Sequence, residues 1–365
     1  MDTITLEEGK FYEEKDVEID GRKYSYVKYC MNSGKIRIVG MKTEEEELLI
    51  PAQLHGYPVG SLGVNVLDEK EYAVLEAEPE FEYEKIGIYS WMKDEEQKFR
   101  KITISEGIEE IKMDSFSRIR AEQIEIPATI KEVGRRGFPY SDIEHVKVKG
   151  TETTLGPSCF VNSKLKSIEL PEDFCGEIGD ACFKNSEIET FQWPSYEGRD
   201  WDWIYDHVND ELFLNCKKLK KITIAPKTKK ILFPKRAFYG CSLLKEIEIP
   251  KHVENVDYYS MPYAENYKKG VNTLIFKGKK TEIRTITDFH VEKDYITVSK
   301  IIAPKNSKAI KFAKKAKRVK YISKKIKRGI RLHSRGIEEY FVQLEEREKE
   351  QKDYVMEPVE YEEVG

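Results

Sequence analysis

The sequence lacks long apolar segments. No run approaches the ~18 apolar residues that a membrane-spanning helix needs. The first residues, MDTITLEEGKFYEEKDVEIDG, have neither the basic nor the apolar region of a secretory signal peptide. We therefore expect a cytoplasmic protein without a transmembrane segment, with surface exposure by a non-standard route as the alternative.

The sequence also lacks the short motifs of common active sites. It has no glycine-rich phosphate loop, no H-E-x-x-H and no G-x-S-x-G. The six histidines are scattered, and the six cysteines form no C-x-x-C and pair with no H-x3-H. A disulfide framework is not expected in a chain of 365 residues. We predict a protein that is not an enzyme, with no catalytic, cofactor-binding or metal-binding residues.

The composition predicts a folded chain without a strong overall charge. Hydrophobic residues make up 39% and aromatic residues 11%, which argues against general disorder. The net charge is −4, so the chain as a whole favours no particular partner. The length allows one large domain or two ordinary ones.

The segment FYGCSLLKEIEIP, residues 238–250, is one of several similar segments. Relatives begin at Phe160, Phe183 and Phe213, and each contains an apolar-x-apolar pair that is often followed by proline. The pair recurs 22 to 31 residues apart through most of the chain. Its first members are Leu48, Ile102, Ile124, Val146, Ile168, Phe191, Ile222, Ile247, Leu274 and Ile301, with Val74 as a doubtful extra copy.

A second apolar pattern keeps the same phase. An apolar residue is followed five positions later by a large apolar residue, as in Ile86–Trp91, Ile111–Phe116, Val133–Phe138, Leu155–Phe160, Ile178–Phe183 and Phe233–Phe238. Each repeat is thus predicted to hold one strand, a turn and a second buried segment. A single repeat cannot bury its apolar face, so neighbouring repeats must stack. Cys241 is accordingly interpreted as a small buried residue of a repeat, with a Cys216–Cys241 disulfide as the alternative.

The consensus IG-x3-F-x2-C-x-x-L-x-x-I-x-I-P resembles the BspA-like, or treponemal-type, leucine-rich repeat family. LLIPAQLHGYPVGSLG at 48–63 is similar to that family's usual entry into the array, and KIIAPKNSKAIKFAKKAK at 300–317 to its usual exit. The resemblance covers about residues 45–317. It implies a right-handed solenoid with a parallel sheet along one face, and roles in adhesion or protein binding.

The fold prediction is therefore a mainly β repeat solenoid in three parts. Residues 1–44 form an N-terminal cap with a β-hairpin that turns at Asn32-Ser33-Gly34. Residues 45–317 form the solenoid of about ten repeats. Residues 318–365 form a charged helical tail, first basic and then acidic.

An aromatic insert at 193–210 lengthens one repeat, and such insertions often lie on a binding face. Its candidate partner-binding residues are Trp193, Tyr196, Trp201, Trp203 and Tyr205. The alternative is that these rings form a local core. A calcium loop that begins at Asp200 fails because Tyr205 stands where a glycine is required.

The function predicted from these features is a non-catalytic binding module. Its solenoid surface and aromatic insert would contact a protein or glycan partner. The alternative is an intracellular regulatory protein that binds nucleic acid or a membrane surface through the basic segment 305–335. The candidate anion-binding residues of that segment are Lys324, Lys325, Lys327, Arg328 and Arg331.

Overall fold

A computed structural model describes residues 5–63, 98–207, 209–234, 236–258, 271, 273–284, 295–296, 300–315, 317–321, 354–358 and 360–364. The chain divides into two compact units, Met1–Leu244 and Lys245–Gly365. The described residues are mainly β, with short helices at α1 (Trp201–His207) and α2 (Lys308–Ala313).

The first unit contains sixteen of the strands in the described residues. They are β1 (Phe11–Ile19), β2 (Arg22–Asn32), β3 (Lys35–Lys42), β4 (Glu47–Ile50), β5 (Gln53–Leu54), β6 (Tyr57–Leu62), β7 (Phe99–Ile104), β8 (Glu110–Ile111), β9 (Arg120–Ile126), β10 (Glu132–Val133), β11 (Asp142–Val148), β12 (Thr154–Leu155), β13 (Ser167–Glu169), β14 (Thr190–Trp193), β15 (Lys221–Ile224) and β16 (Lys230–Phe233).

The apolar-x-apolar pairs form parallel sheets, as predicted. Strands β4, β7, β9, β11 and β13 make one five-stranded sheet, and β14 pairs with β15. The predicted first members are in register across it: Leu48, Ile102, Ile124, Val146 and Ile168. Both members of a pair face the core because side chains alternate along a strand. Leu48 pairs directly with Ile102, so their strands are neighbours in the stack. Val74 and the pair Ile86–Trp91 lie outside the described residues.

The second apolar pattern forms another sheet of the first unit. Its order is β1-β2-β3-β6-β8-β10-β12, and β5 pairs with β6. The short strands β8, β10 and β12 hold Ile111, Val133 and Leu155, which are fully buried. The repeats that hold Ile111, Val133 and Leu155 therefore contribute one strand to each of these two sheets.

The predicted N-terminal hairpin is confirmed. Strands β2 and β3 are antiparallel and joined at Ser33 and Gly34, whose φ angles are 54° and 75°. Positive φ at both central residues matches the tight hairpin turn whose twist fits paired strands. Because β3 pairs with β6, the hairpin covers the first edge of the second sheet.

A column of stacked phenylalanines runs through the first unit. Phe116, Phe138, Phe160, Phe183, Phe213 and Phe238 lie one per repeat, and each is buried. Successive ring centroids are 5.0 to 5.8 Å apart, and the ring planes differ by at most 8°. The recurrent Phe of the sequence pattern is thus the central packing residue of each repeat.

The second unit repeats the same pattern. Its strands are β17 (Glu246–Ile249), β18 (Asn255–Tyr258), β19 (Thr273–Phe276), β20 (Glu282–Arg284), β21 (Tyr295–Ile296), β22 (Lys300–Pro304), β23 (Lys317–Tyr321), β24 (Tyr354–Pro358) and β25 (Glu360–Val364). Ile247, Leu274 and Ile301 are in register in parallel strands, as predicted. Strand β25 pairs with β22 and ends this sheet.

The tail corrects a sequence-based expectation. Residues 318–365 were expected to be helical, yet the described parts are strands β23, β24 and β25. Strand β23 is antiparallel to β24, and Arg318 lies opposite Glu357 in the backbone register. Pairing with another segment decides the conformation here, because it overrides the helix propensity of the tail's lysine, arginine and glutamate residues.

Candidate functional site

The aromatic insert follows β14 and contains helix α1. The Asp200 side chain accepts a hydrogen bond from the backbone N–H of Trp203 at 2.8 Å, as a helix N-cap does. The side chain of Ile204 is buried, so this face of the helix packs against the first unit. The insert is therefore an ordered element with one face against the core.

Three half-buried side chains of the insert contact one another, and we call Arg199, Trp203 and His207 the insert patch. The Arg199 guanidinium carbon lies 4.5 Å from the centre of the Trp203 ring. The His207 ring stacks on Trp203 with a centroid distance of 4.3 Å and an interplanar angle of 2°. Trp203 and His207 are both half-buried. The patch thus presents a pre-positioned aromatic group beside a permanent cation.

Arg199 connects the insert patch to neighbouring loops. Its Nη2 donates to Glu152 Oε1 at 3.2 Å and to the Cys175 carbonyl oxygen at 3.4 Å. Glu152 follows β11, and Cys175 follows β13. These contacts hold the guanidinium in place, so less conformational freedom is lost when a partner binds.

Two of the predicted partner-binding residues belong to the core. Trp193 and Tyr196 are 1% and 4% exposed, so their side chains do not face a partner. Trp193 packs edge-on against Phe233 with a centroid distance of 5.0 Å. Burial raises the pKa of the Tyr196 hydroxyl well above its ordinary value. The expectation of an exposed ring is corrected for these two residues, because they fill space between repeats.

The remaining candidates have different positions. Trp201 and Tyr205 lie in α1, but their side chains lie outside the described residues, as do Lys324, Lys325, Lys327, Arg328 and Arg331 in full. Sequence reasoning missed Arg199 and His207 as site residues. The spacing of four residues between Trp203 and His207 is a usable signal, because positions four apart in a helix share a face, whereas Arg199 precedes α1.

The outward face of the five-stranded sheet carries charges of both signs. Lys101 Nζ lies 2.6 Å from Glu125 Oε1, and Glu125 Oε2 lies 3.1 Å from Lys149 Nζ. Glu144 is likewise paired with Lys166 and Lys98, and these two hydrogen-bonded ammonium groups lower the pKa of the Glu144 carboxyl to about 2. Residues one or two repeats apart thus neutralise each other. Such a face suits a mixed-charge protein surface better than a polyanion.

The buried cysteines have a structural role. The Cys216 thiol donates to the Phe183 carbonyl at 2.9 Å, and the Cys241 thiol donates to the Phe213 carbonyl at 3.0 Å. Both are free cysteines, and burial raises the pKa of Cys216 to about 12. The interpretation of Cys241 as a buried residue of a repeat is confirmed.

A metal-ligand cluster and a membrane-spanning helix are both absent from the described residues. In that part of the chain, no three His, Cys, Asp or Glu side chains are grouped so as to hold a metal ion. Within the same residues, no helix is long and apolar enough to cross a membrane. The predicted cytoplasmic location stays a prediction.

Comparison with solved structures finds distant similarity. A leucine-rich repeat protein from Bacteroides ovatus is 16% identical, with a TM-score of 0.37 over 79% of this chain and 71% of that one. The pneumococcal vaccine antigen PcpA is 13% identical, with a TM-score of 0.34 over 84% and 96%. A leucine rich cell surface protein from Faecalibacterium prausnitzii is 14% identical, with a TM-score of 0.33 over 78% and 84%. These low scores add nothing to the family assignment.

The family comparison is decisive. No curated protein matches the chain. The model of the BspA type leucine rich repeat region matches residues 84–197 and 206–311, with six copies. Stacked repeats of this kind present extended binding surfaces, so the match indicates an interaction module and no catalytic family. The chain belongs to the BspA-type leucine-rich repeat family.

Proposed function

We propose that this protein is a non-catalytic module that binds a protein partner through the insert patch. The observation that carries the proposal is the half-buried Trp203 ring held between ordered neighbours, with Arg199 4.5 Å and His207 4.3 Å from it. Tryptophan and arginine dominate the binding energy of protein interfaces.

The surroundings of the patch support a protein rather than a polyanion. Asp202 and Asp206 are exposed on the same helix and repel phosphates. Among the described basic residues, Lys308 and Lys314 are paired with Glu282 and Glu363. The alternative anionic partner rests on the basic segment 305–335, whose candidate residues 324–331 lie outside the described part of the chain, and it stays a prediction.

The test is a comparison of partner capture by wild-type protein and Trp203→Ala from the native cell. We expect partners captured by the wild type to bind Trp203→Ala roughly thirtyfold less tightly, which corresponds to the ~2 kcal/mol of an interface hot spot. Biolayer interferometry with the identified partner measures the ratio.

The matched control is Tyr140→Asn, which removes another aromatic ring that is 59% exposed. It should leave the affinity unchanged. Thermal unfolding of both variants verifies that the fold is kept. Equal affinity of the wild type and Trp203→Ala would refute the proposal.

A further inference from the structure

The last strand of the second unit occupies a sheet edge. Strand β25 pairs in parallel with β22 over five residues, from Lys300↔Glu360 to Pro304↔Val364. The ladder continues in the hydrogen bond from the Lys305 N–H to the Val364 carbonyl at 3.1 Å. The pairing places Tyr361 in register with Ile301. Strand β25 thus takes the place of one more repeat, although its sequence, EYEEV, lacks the apolar-x-apolar pair.

Strand β25 has little apolar anchorage. All five of its residues are exposed, including Tyr361 at 45% and Val364 at 39%. By contrast, Ile301 and Ala303 of β22 are fully buried. Apolar burial is the main stabilising contribution to strand association, so β25 is held mainly by backbone pairing and charge.

Two lysines form ion pairs with β25, one on each face of the sheet. Lys300 lies on the outward face and pairs with Glu362. Lys314 follows helix α2, and its Nζ lies 3.0 Å from Glu363 Oε1 and 5.4 Å from the centre of the Tyr361 ring. Glu363 and Tyr361 alternate with Glu362 and therefore face the other side. The edge consequently selects an extended strand with carboxylates on both faces and an aromatic ring.

We propose that the edge of β22, with Lys300 and Lys314, is a binding site for an extended acidic peptide of a partner protein, and that β25 is its internal competitor. The partner strand adds to the sheet by main-chain hydrogen bonds, and its acidic–aromatic–acidic–acidic pattern gives specificity. Exposed ion pairs contribute little individually, so the tethered strand is exchangeable. Binding in trans requires β25 to leave the edge.

The site is distinct from the insert patch, which belongs to the first unit. The test uses a fluorescent peptide of residues 358–365, PVEYEEVG, and the full-length chain. In the variant Glu362→Lys/Glu363→Lys, the internal strand carries charges that Lys300 and Lys314 repel. We expect the peptide to bind this variant at least tenfold more tightly than the wild type, measured by fluorescence anisotropy.

Charge-swapped variants supply the matched controls. Lys300→Glu/Lys314→Glu should not bind the peptide, because the edge then repels its carboxylates. Combining all four substitutions restores opposite charges between β25 and the edge, while the edge still repels the acidic peptide, so this variant should not bind the peptide either. Circular dichroism and thermal unfolding verify that each variant is folded.

Three results would overturn the proposal. One is equal peptide affinity for the wild type and for Glu362→Lys/Glu363→Lys, and another is no binding to that variant at millimolar peptide. The third is that the wild type is a dimer in light scattering and that Glu362→Lys/Glu363→Lys is a monomer. In that case, the strand would be exchanged between two copies of the chain. Loss of the insert-patch partner in Trp203→Ala bears only on the proposed function, because that variant leaves the β22 edge intact.

Discussion

In four repeats, the small residue three positions after a stacked phenylalanine donates a hydrogen bond to a backbone carbonyl. Ser141 and Ser163 donate to the carbonyls of Phe138 and Phe160 in their own repeats at 2.9 and 2.8 Å. Cys241 donates instead to Phe213 of the preceding repeat. A buried carbonyl without a hydrogen-bond partner is costly. Serine and cysteine can both donate to such a carbonyl, so either residue suits this position.

Thiol reactivity tests this role of the cysteines. Burial raises the pKa of Cys216 to about 12 and that of Cys241 further, so both stay protonated at pH 8. Cys175 is the least buried of the six. We expect iodoacetamide to modify Cys175 alone in the folded protein and all six thiols in guanidinium, as read by mass spectrometry. A Cys216–Cys241 bridge in the unreduced protein would contradict the interpretation.

Glu144 predicts a pH dependence of stability. Its pKa of about 2, held down by Lys166 and Lys98, lies below the ~4.3 of an unfolded glutamate. The stabilisation is therefore complete above pH ~5 and is lost as the pH falls towards 2. In urea unfolding, Glu144→Gln should flatten the slope of unfolding free energy against pH in this window. An unchanged slope would show that the pairs do not persist in solution.

Trp193 shows how much of the site was readable from single residues. Trp193 is the second member of the pair Phe191-x-Trp193, and the alternation of a strand places both rings inside. The concentration of aromatic residues in this part of the sequence assigns Trp193 to the aromatic insert. The period-two alternation of β14 assigns it to the core instead. Trp203 lies beyond the strand, so only three-dimensional contacts decide its exposure.

The phenylalanine column is the element on which the stack of the first unit depends. Phe160 lies between Phe138 and Phe183, with centroid distances of 5.2 and 5.7 Å. Phe160→Ala should lower the free energy of unfolding by ~3–5 kcal/mol, because it leaves a cavity and removes two stacked contacts. Phe160→Leu keeps more volume and should lose less. Denaturant unfolding measures both, and equal losses would argue against a packing role.

The turns around the column also explain a sequence preference. Tyr140 has a φ of 55°, and Asn162, Asn185 and Asn215 take φ values of 57° to 60° two residues after their own phenylalanines. Asparagine tolerates this left-handed conformation better than tyrosine. Tyr140→Asn should therefore raise the free energy of unfolding by ~0.5–1 kcal/mol, measured as an increased melting temperature. A decrease would show that the exposed ring makes a favourable contact.

The strands of the repeats were predictable because each pair carries its own alternation. Strand β25 was not predictable from the sequence, because EYEEV shows no apolar face and its partner strand lies 60 residues earlier. Pairing with an available edge, rather than local propensity, makes it a strand.

At the scale of the whole molecule, a repeat stack needs closed ends. The hairpin of β2 and β3 covers one end of the second sheet through β6, and Val27 of β2 is fully buried. Val27→Asp should detach this cap and expose the sheet edge to other copies. We expect concentration-dependent aggregation in light scattering. Lys23→Asp, at an exposed position of the same strand, is the control and should remain monodisperse.

The sequence by itself determined the repeat, the mainly β class, the hairpin turn and the family. These follow from periodic apolar residues and turn residues, which act locally and through identical neighbours. Only the tertiary structure decided which aromatic rings are buried, which cation stacks on Trp203 and where the acidic tail pairs. These depend on contacts between residues far apart in the chain, and no period in the sequence records such contacts.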